Sequence, residues 1–448
     1  MNRRLRPVIP HLLELAAVIL VLVGLVDLVR TFNANGYLPA PFVFDVGDTF
    51  MDWFNTAYWA HNPGAYSVWN TIYAPLSFMI TGALGDPRCY GNAPYDARDC
   101  DVFGIVVIIL MYLACVVVTA IALYRRDRST ALFRTVGIAI GGPMLFALER
   151  GNLIMVAYIG FVLLYGELLK TKAGIASTAA VLINMKSYLL FPVMAFAIKR
   201  EWRTLELAGF ATLAIYLGSL LIVSGGTPFQ LLNNLDVWFN LRAGTIWDEV
   251  LYSTTYKPYL LFDVRQFPVR DFVDQRSIDI ARVVIQLEVI ASRTVAILCI
   301  VGAWFYPKVV PLHRLAFFIL MYSFMGQNPG GYAIVFIVFL VFMERWKNFG
   351  VGLATICCYL VSIPTDKNIS TFYQFTRESW LSGRVVESVY ALPLGALIRP
   401  GLLIVVLWAI AIDTLIDLHR AAKAGRPALG LSLRGAQLPA PSPAPTKP

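Results

Sequence analysis

Apolar runs, most near the roughly 20 residues a helix needs to cross a bilayer, recur along the whole chain. The first covers 7–29. Polar punctuation separates further runs at 102–123, 132–148, 153–169, 173–198, 205–223, 294–306, 315–325, 332–342, 351–363 and 397–416. The short alternating strands of a membrane barrel are absent from the pattern. The run 173–198 is interrupted by Asn184-Met185-Lys186-Ser187 and by Pro192, with basic clusters at both ends. It predicts a pair of short helices with Lys186 near the turn. The stretch 73–84 is too short to cross and carries Pro75, so it predicts an interfacial or re-entrant helix. The fold class expected is an all-α polytopic membrane protein of about twelve transmembrane or re-entrant helices.

Charge gives these segments a direction. Arg3, Arg4 and Arg6 precede the first run, and later basic clusters fall at Arg125-Arg126-Asp127-Arg128, Lys170-Thr171-Lys172, Lys199-Arg200-Glu201-Trp202-Arg203, Lys308, Arg345-Trp346-Lys347 and Arg420. Placing both termini in the cytoplasm puts every cluster inside, as the positive-inside rule requires. No small-residue cleavage site follows the first run, which therefore reads as a retained span. Outside lie a first loop at 31–101, a long segment at 225–293 and a second loop at 365–394. The end of the long segment, through Glu288 and Arg293, predicts an amphipathic interfacial helix. Residues 1–420 form one transmembrane domain, and the Ala/Pro/Gly-rich 421–448 predicts a disordered cytoplasmic tail.

Composition agrees: 58% of residues are hydrophobic and only 15% charged, against about a quarter charged in soluble proteins. The net charge of +9 belongs to the topological signal rather than to nucleic acid. Cys115, Cys299, Cys357 and Cys358 lie in apolar runs and read as small hydrophobes. Cys89 and Cys100 flank a Gly/Pro/Asn/Asp-rich loop, a pattern that predicts a disulfide and an oxidising compartment.

The candidate chemistry begins just beyond the first run, where Asp45, Asp48 and Asp52 fall among Phe50, Trp53, Phe54, Tyr58 and Trp59. Asp48 and Asp52 share a face if the segment is helical. Aromatic rings of this kind anchor a segment at lipid headgroups, which suggests chemistry on a lipid-borne substrate. Two readings stand for these acids: a helix cap and first-turn charge, or catalysis. Lys186, a cation inside an apolar run, either pairs with a carboxylate such as Glu149 or binds a phosphate. Glu149-Arg150 is either an ion pair at a helix end or, with Asn152, part of an anionic-headgroup site. The four histidines are scattered, and no metal-ligand spacing, phosphate-binding glycine loop or serine elbow is present. The inner halves of the spans carry little polarity.

Asp48-Thr49-Phe50, then Asn62-Pro63-Gly64-Ala65-Tyr66, then Tyr73-Ala74-Pro75-Leu76 resembles the opening of glycosyltransferase family 87. Glu149-Arg150-Gly151-Asn152 and Asn184-Met185-Lys186-Ser187-Tyr188, followed by Lys199-Arg200-Glu201-Trp202, are similar to later elements of that family. The chain departs from it at Ala74 and Ser187, where proline is usual, and at Thr49, which separates Asp48 from Phe50. The resemblance covers the first half; the second half matches only in hydropathy.

The resemblance implies a GT-C-like helical bundle in a bacterial cytoplasmic membrane, with its active site on the periplasmic face. It implies transfer of a hexose, mannose favoured, from a polyprenyl-phosphate carrier to a glycan or glycolipid acceptor, with no cofactor and no metal. Asp48 would be the base, with Asp52 as its substitute. Lys186, Arg150, Arg265 and Arg270 would bind donor phosphate, and Glu149, Asn152, Tyr73, Tyr188, Gln327 and Asn328 would line the substrate site. The rival expectation is a transporter or flippase of lipid-linked saccharides, which needs a matching inner gate.

Overall fold

The computed structural model describes residues 8–39, 42, 46–223, 227, 229–241, 253–256, 274–325 and 330–424. Asp45, Arg265, Arg270, Gln327, Asn328, most of 225–273 and the tail from 425 lie outside the described residues.

The chain is mostly helical. Among the described residues five helices are long and apolar enough to cross a membrane: α1 (Val8–Asn35), α5 (Val102–Arg126), Trp202–Ile222, Gln275–Phe305 and Leu394–Lys423. At 1.5 Å per residue the 28 residues of α1 reach about 42 Å. Their outward faces are apolar, with Phe210 74% and Leu221 90% exposed. Removing such side chains from water is favourable.

Shorter elements fill the interior. Between α1 and α5 lie α2 (Met51–His61), α3 (Pro75–Ala83) and α4 (Pro94–Cys100). After α5 come α6 (Ala131–Ala139), α7 (Gly142–Glu149), α8 (Ile154–Tyr165) and α9 (Lys172–Met185). Leu312–Phe324, Ile334–Phe342 and Phe349–Val361 follow. A helix that is apolar all round belongs inside, and all nine residues of Ile334–Phe342 are buried. Phe161 of α8 packs its ring 4.7 Å from Phe336. These helices are too short to cross alone as straight rods, and much of their surface is buried in the core.

Local chemistry explains the breaks. α6 and α7 bend by 41° because Pro143 can only sit in a first turn; the Gly142 amide bonds Ser362 O instead, at 2.8 Å. α9 stops where Lys186 turns extended, and only short helical turns, Leu190–Val193 and Ala195–Ile198, follow. The break at Lys186 lies where the sequence placed the turn.

Three expectations are corrected. The stretch 365–394 is not plain loop: β1 (Asn368–Ser379) and β2 (Arg384–Pro393) pair antiparallel, a single hairpin added to an otherwise helical fold. β1 carries Ile369, Thr371, Tyr373 and Thr376 and β2 carries Val385, Val386, Val389 and Tyr390, residue types that the pleated surface favours, and Gly383 takes a φ of 63° between the strands. The predicted interfacial helix through Glu288 and Arg293 and the predicted span 294–306 are one helix, Gln275–Phe305. No Gly or Pro stands between them to stop it.

The third correction concerns polarity away from the acidic loop. Glu14, in the second turn of α1, pairs with Arg134, in the first turn of α6, at 2.7 Å, both fully buried. Arg134 also bonds Phe342 O and Glu344 O, each at 2.6 Å. Arg314 grips Glu344 with two bonds of 2.6 and 2.7 Å and reaches Asp413 at 3.0 Å; His313 bonds Glu344 at 3.1 Å. These ion pairs sit at the far end of α6–α7 from Glu149, where the sequence had suggested little polarity. Each residue borders or interrupts an apolar run singly, so its partner was not visible.

Candidate functional site

The turn Val46–Phe50 docks on the C-terminal end of α7. The Phe50 amide bonds Glu149 O at 2.7 Å and the Asp52 amide bonds Arg150 O at 3.0 Å. This contact demands Gly151: its φ is 60°, and a Cβ there would lie 3.1 Å from Phe50 O, where glycine alone fits without strain. Phe50 itself sits at φ 64°, costly for a bulky residue by about 1–3 kcal/mol. Such strain persists where neighbours over-determine it and often marks function.

Side chains then converge. Arg150 forks between the acids, Nη1 to Asp48 Oδ2 and Nη2 to Asp52 Oδ1, both 2.8 Å. Asn152 Nδ2 donates to Asp52 Oδ2 at 2.6 Å, while its Oδ1 accepts the Ile154 amide at 2.8 Å and so starts α8. Thr49 Oγ1 donates to Glu149 Oε1 at 3.0 Å, and Tyr95 Oη donates to Asp48 Oδ1 at 3.0 Å. Burial alone would push the Asp52 carboxyl up; the Arg150 charge, hydrogen bonds from Arg150 and Asn152, and the Lys186 charge outweigh it and hold the group below the ordinary carboxylate range.

Lys186 completes the site. Its Nζ lies 4.5 Å from the Tyr73 ring centre and 5.9 Å from that of Tyr332, close enough for cation–π attraction. Asp52 acts on it electrostatically, yet among the described residues no carboxylate forms an ion pair with it. Tyr188 packs against Phe324, and its buried hydroxyl has no hydrogen-bond partner among the described residues.

Seven predicted site residues, Asp48, Asp52, Glu149, Arg150, Asn152, Lys186 and Tyr73, therefore meet, with Tyr188 beside them. Glu149 is not the partner of Lys186; it takes Thr49. The structure joins Cys89 to Cys100, closing the loop that carries α4. Sequence reading missed Tyr332, Tyr95, Arg98 and Trp380. Tyr332 carried a signal, an aromatic directly after Gly330-Gly331; the others gain their place only through contacts distant in sequence. Among the described residues no group of three or more His, Cys, Asp and Glu is arranged to hold a metal ion.

No family model, curated protein or solved structure matches this chain.

The disulfide gives a testable expectation. Replacing Cys89 and Cys100 by serine should lower the protection of residues 86–101 against hydrogen exchange by about 2–4 kcal/mol, the usual worth of such a cross-link. Exchange in Ala131–Ala139 should not change. Equal protection of the loop in both proteins would refute the expectation.

Proposed function

We propose that the chain is a membrane glycosyltransferase that moves a sugar, mannose favoured, from a polyprenyl-phosphate carrier to a glycan or glycolipid acceptor. In this reading it lies in a bacterial cytoplasmic membrane with both termini in the cytoplasm and the acidic site on the outer face. The observation that carries it is the pairing of two differently placed charges. Lys186 is a cation with no bonded anion among the described residues, and Asp48 is a carboxylate at the rim of the same site.

The chemistry follows from that arrangement. A donor phosphate beside Lys186 would present its sugar toward the acids. The acceptor hydroxyl oxygen attacks C1 of the sugar from the side away from the phosphate. The C1–O bond to phosphate breaks, its electron pair leaves with the lipid phosphate, and the hydroxyl proton passes to Asp48. The anomeric centre inverts. Charge developing on the phosphate is stabilised by Lys186, and Arg150 holds both acids in place. Both acids accept hydrogen bonds on each oxygen, but Asp52 is the one whose charge acts on Lys186, on the phosphate side, which leaves the base role to Asp48.

The transporter reading retains one supporting observation, the buried ion pairs at the far end, since an inner gate would be built from such groups. Arg134, however, caps backbone carbonyls as well as Glu14, as a permanent seal would.

The deciding experiment reconstitutes the protein in liposomes with polyprenyl-phosphate mannose and a panel of glycan and glycolipid acceptors. A new glycosidic bond is expected. Movement of the lipid-linked sugar across the bilayer without such a bond would replace this function with the rival. Lys186→Met should raise the KM for the donor about 10- to 100-fold, since a hydrogen bond to a charged group is worth about 1.5–3 kcal/mol. An unchanged donor KM would remove Lys186 from the phosphate site.

A further inference from the structure

The Asp48 turn is gripped by two parts of the chain that the proposed reaction does not use. Arg98, on α4, is buried. Its Nη1 donates to Gly47 O at 2.5 Å and to Thr49 O at 3.0 Å. Those carbonyls flank Asp48, so one guanidinium nitrogen fixes the backbone on both sides of the carboxylate. The guanidinium meets two rings, 4.8 Å from Trp380 and 5.4 Å from Tyr95.

Trp380 comes from the turn between β1 and β2, 332 positions beyond Asp48 in the sequence. Its amide bonds Val46 O at 3.3 Å, its Nε1 bonds Asp99 Oδ1 at 2.8 Å, and its ring meets Phe50 edge-on at 5.4 Å. Tyr95, also against Arg98, carries the hydroxyl that donates to Asp48. The disulfide-closed loop and the β-hairpin thus both hold one strained turn.

A buried guanidinium is expensive unless its donors are met. Here the acceptors of Nη1 are the two peptide carbonyls next to the acid. Displacing a reacting group by about 1 Å can slow a reaction about 100-fold, so an arrangement that fixes the backbone at Asp48 bears directly on rate.

We propose that Arg98 and Trp380 are positioning residues that set the Asp48 carboxylate in its reactive place, a role that rests on the transferase reading of the site. Neither touches substrate; Arg98 acts through the backbone of Asp48, and Trp380 acts through Arg98 and Phe50.

The test uses the full chain in lipid nanodiscs. Arg98→Ala is expected to lower kcat for transfer from polyprenyl-phosphate mannose about 100-fold with an unchanged KM for the donor. Added methylguanidinium should restore part of the rate, while methylammonium, which lacks the flat fork, should not. Trp380→Phe keeps an aromatic face and should lose far less than Trp380→Ala. A raised donor KM at wild-type kcat, or the absence of rescue, would overturn the assignment. Hydrogen exchange supplies a readout that needs no activity: Arg98→Ala should speed exchange at the amides of Phe50 and Met51 and leave Ala131–Ala139 as it was. If wild-type protein transfers no sugar, the transferase reading fails by itself. Unchanged protection at Phe50 and Met51 would then overturn the clamp independently.

Discussion

Asp48→Asn is expected to slow sugar transfer by about 10²- to 10⁴-fold, the usual contribution of a general base, with little change in the KM for the donor. The substitution keeps the size of the side chain; its carbonyl oxygen can still accept from Arg150 and its amide can donate to the Tyr95 hydroxyl oxygen, so the turn should stay in place. What it removes is the capacity to take a proton. Asp52→Asn should act differently. Asp52 accepts from Arg150 and Asn152 and lies within the field of Lys186, so losing its charge should disturb the phosphate side and raise the KM for the donor. Initial rates measured across donor concentrations separate the two. Wild-type rates in the Asp48 variant would end its role as the base.

Arg134→Met should be the most damaging single change to the fold, at about 3–5 kcal/mol, the range found when one partner of a buried ion pair is removed. Glu14 would remain fully buried with Tyr359 Oη, 3.1 Å away, as its neighbouring donor. The carbonyls of Phe342 and Glu344 would lose a shared donor as well. Adding Glu14→Gln to Arg134→Met should recover part of the loss, because an uncharged amide is easier to bury than a carboxylate. Unfolding in nanodiscs monitored by thermal melting reads both variants. An Arg134→Met protein that melts with the wild type would show that the pair does not hold the bundle together.

The elements visible in the sequence were those written in local pattern. α1, α5 and the helix beginning at Pro75 follow from apolar runs and from proline in a first turn. The break at Lys186 follows from a polar cluster inside an apolar run. The acids at 48 and 52 and the Glu149–Asn152 motif were visible as chemistry, though not as neighbours. Their meeting depends on the Phe50–Glu149 and Asp52–Arg150 backbone bonds, which link positions about a hundred residues apart. Trp380 and Arg98 were invisible for the same reason, since each reads alone as a surface residue of a loop. The hairpin was missed because a helix-rich context made 365–394 read as a connection, although its Thr, Tyr and Val content favoured strands. Glu14 and Arg134 stand inside the apolar runs 7–29 and 132–148, 120 positions apart, and only packing reveals that they answer one another.

The bond from Tyr359 to Glu14 has a consequence for how the molecule is made. The partners of Glu14 are synthesised 120 and 345 positions after it. The buried pairing of α1 is therefore completed only after Phe349–Val361, which carries Tyr359, has been made, so the order of synthesis places the sealing of this end of the bundle late in assembly.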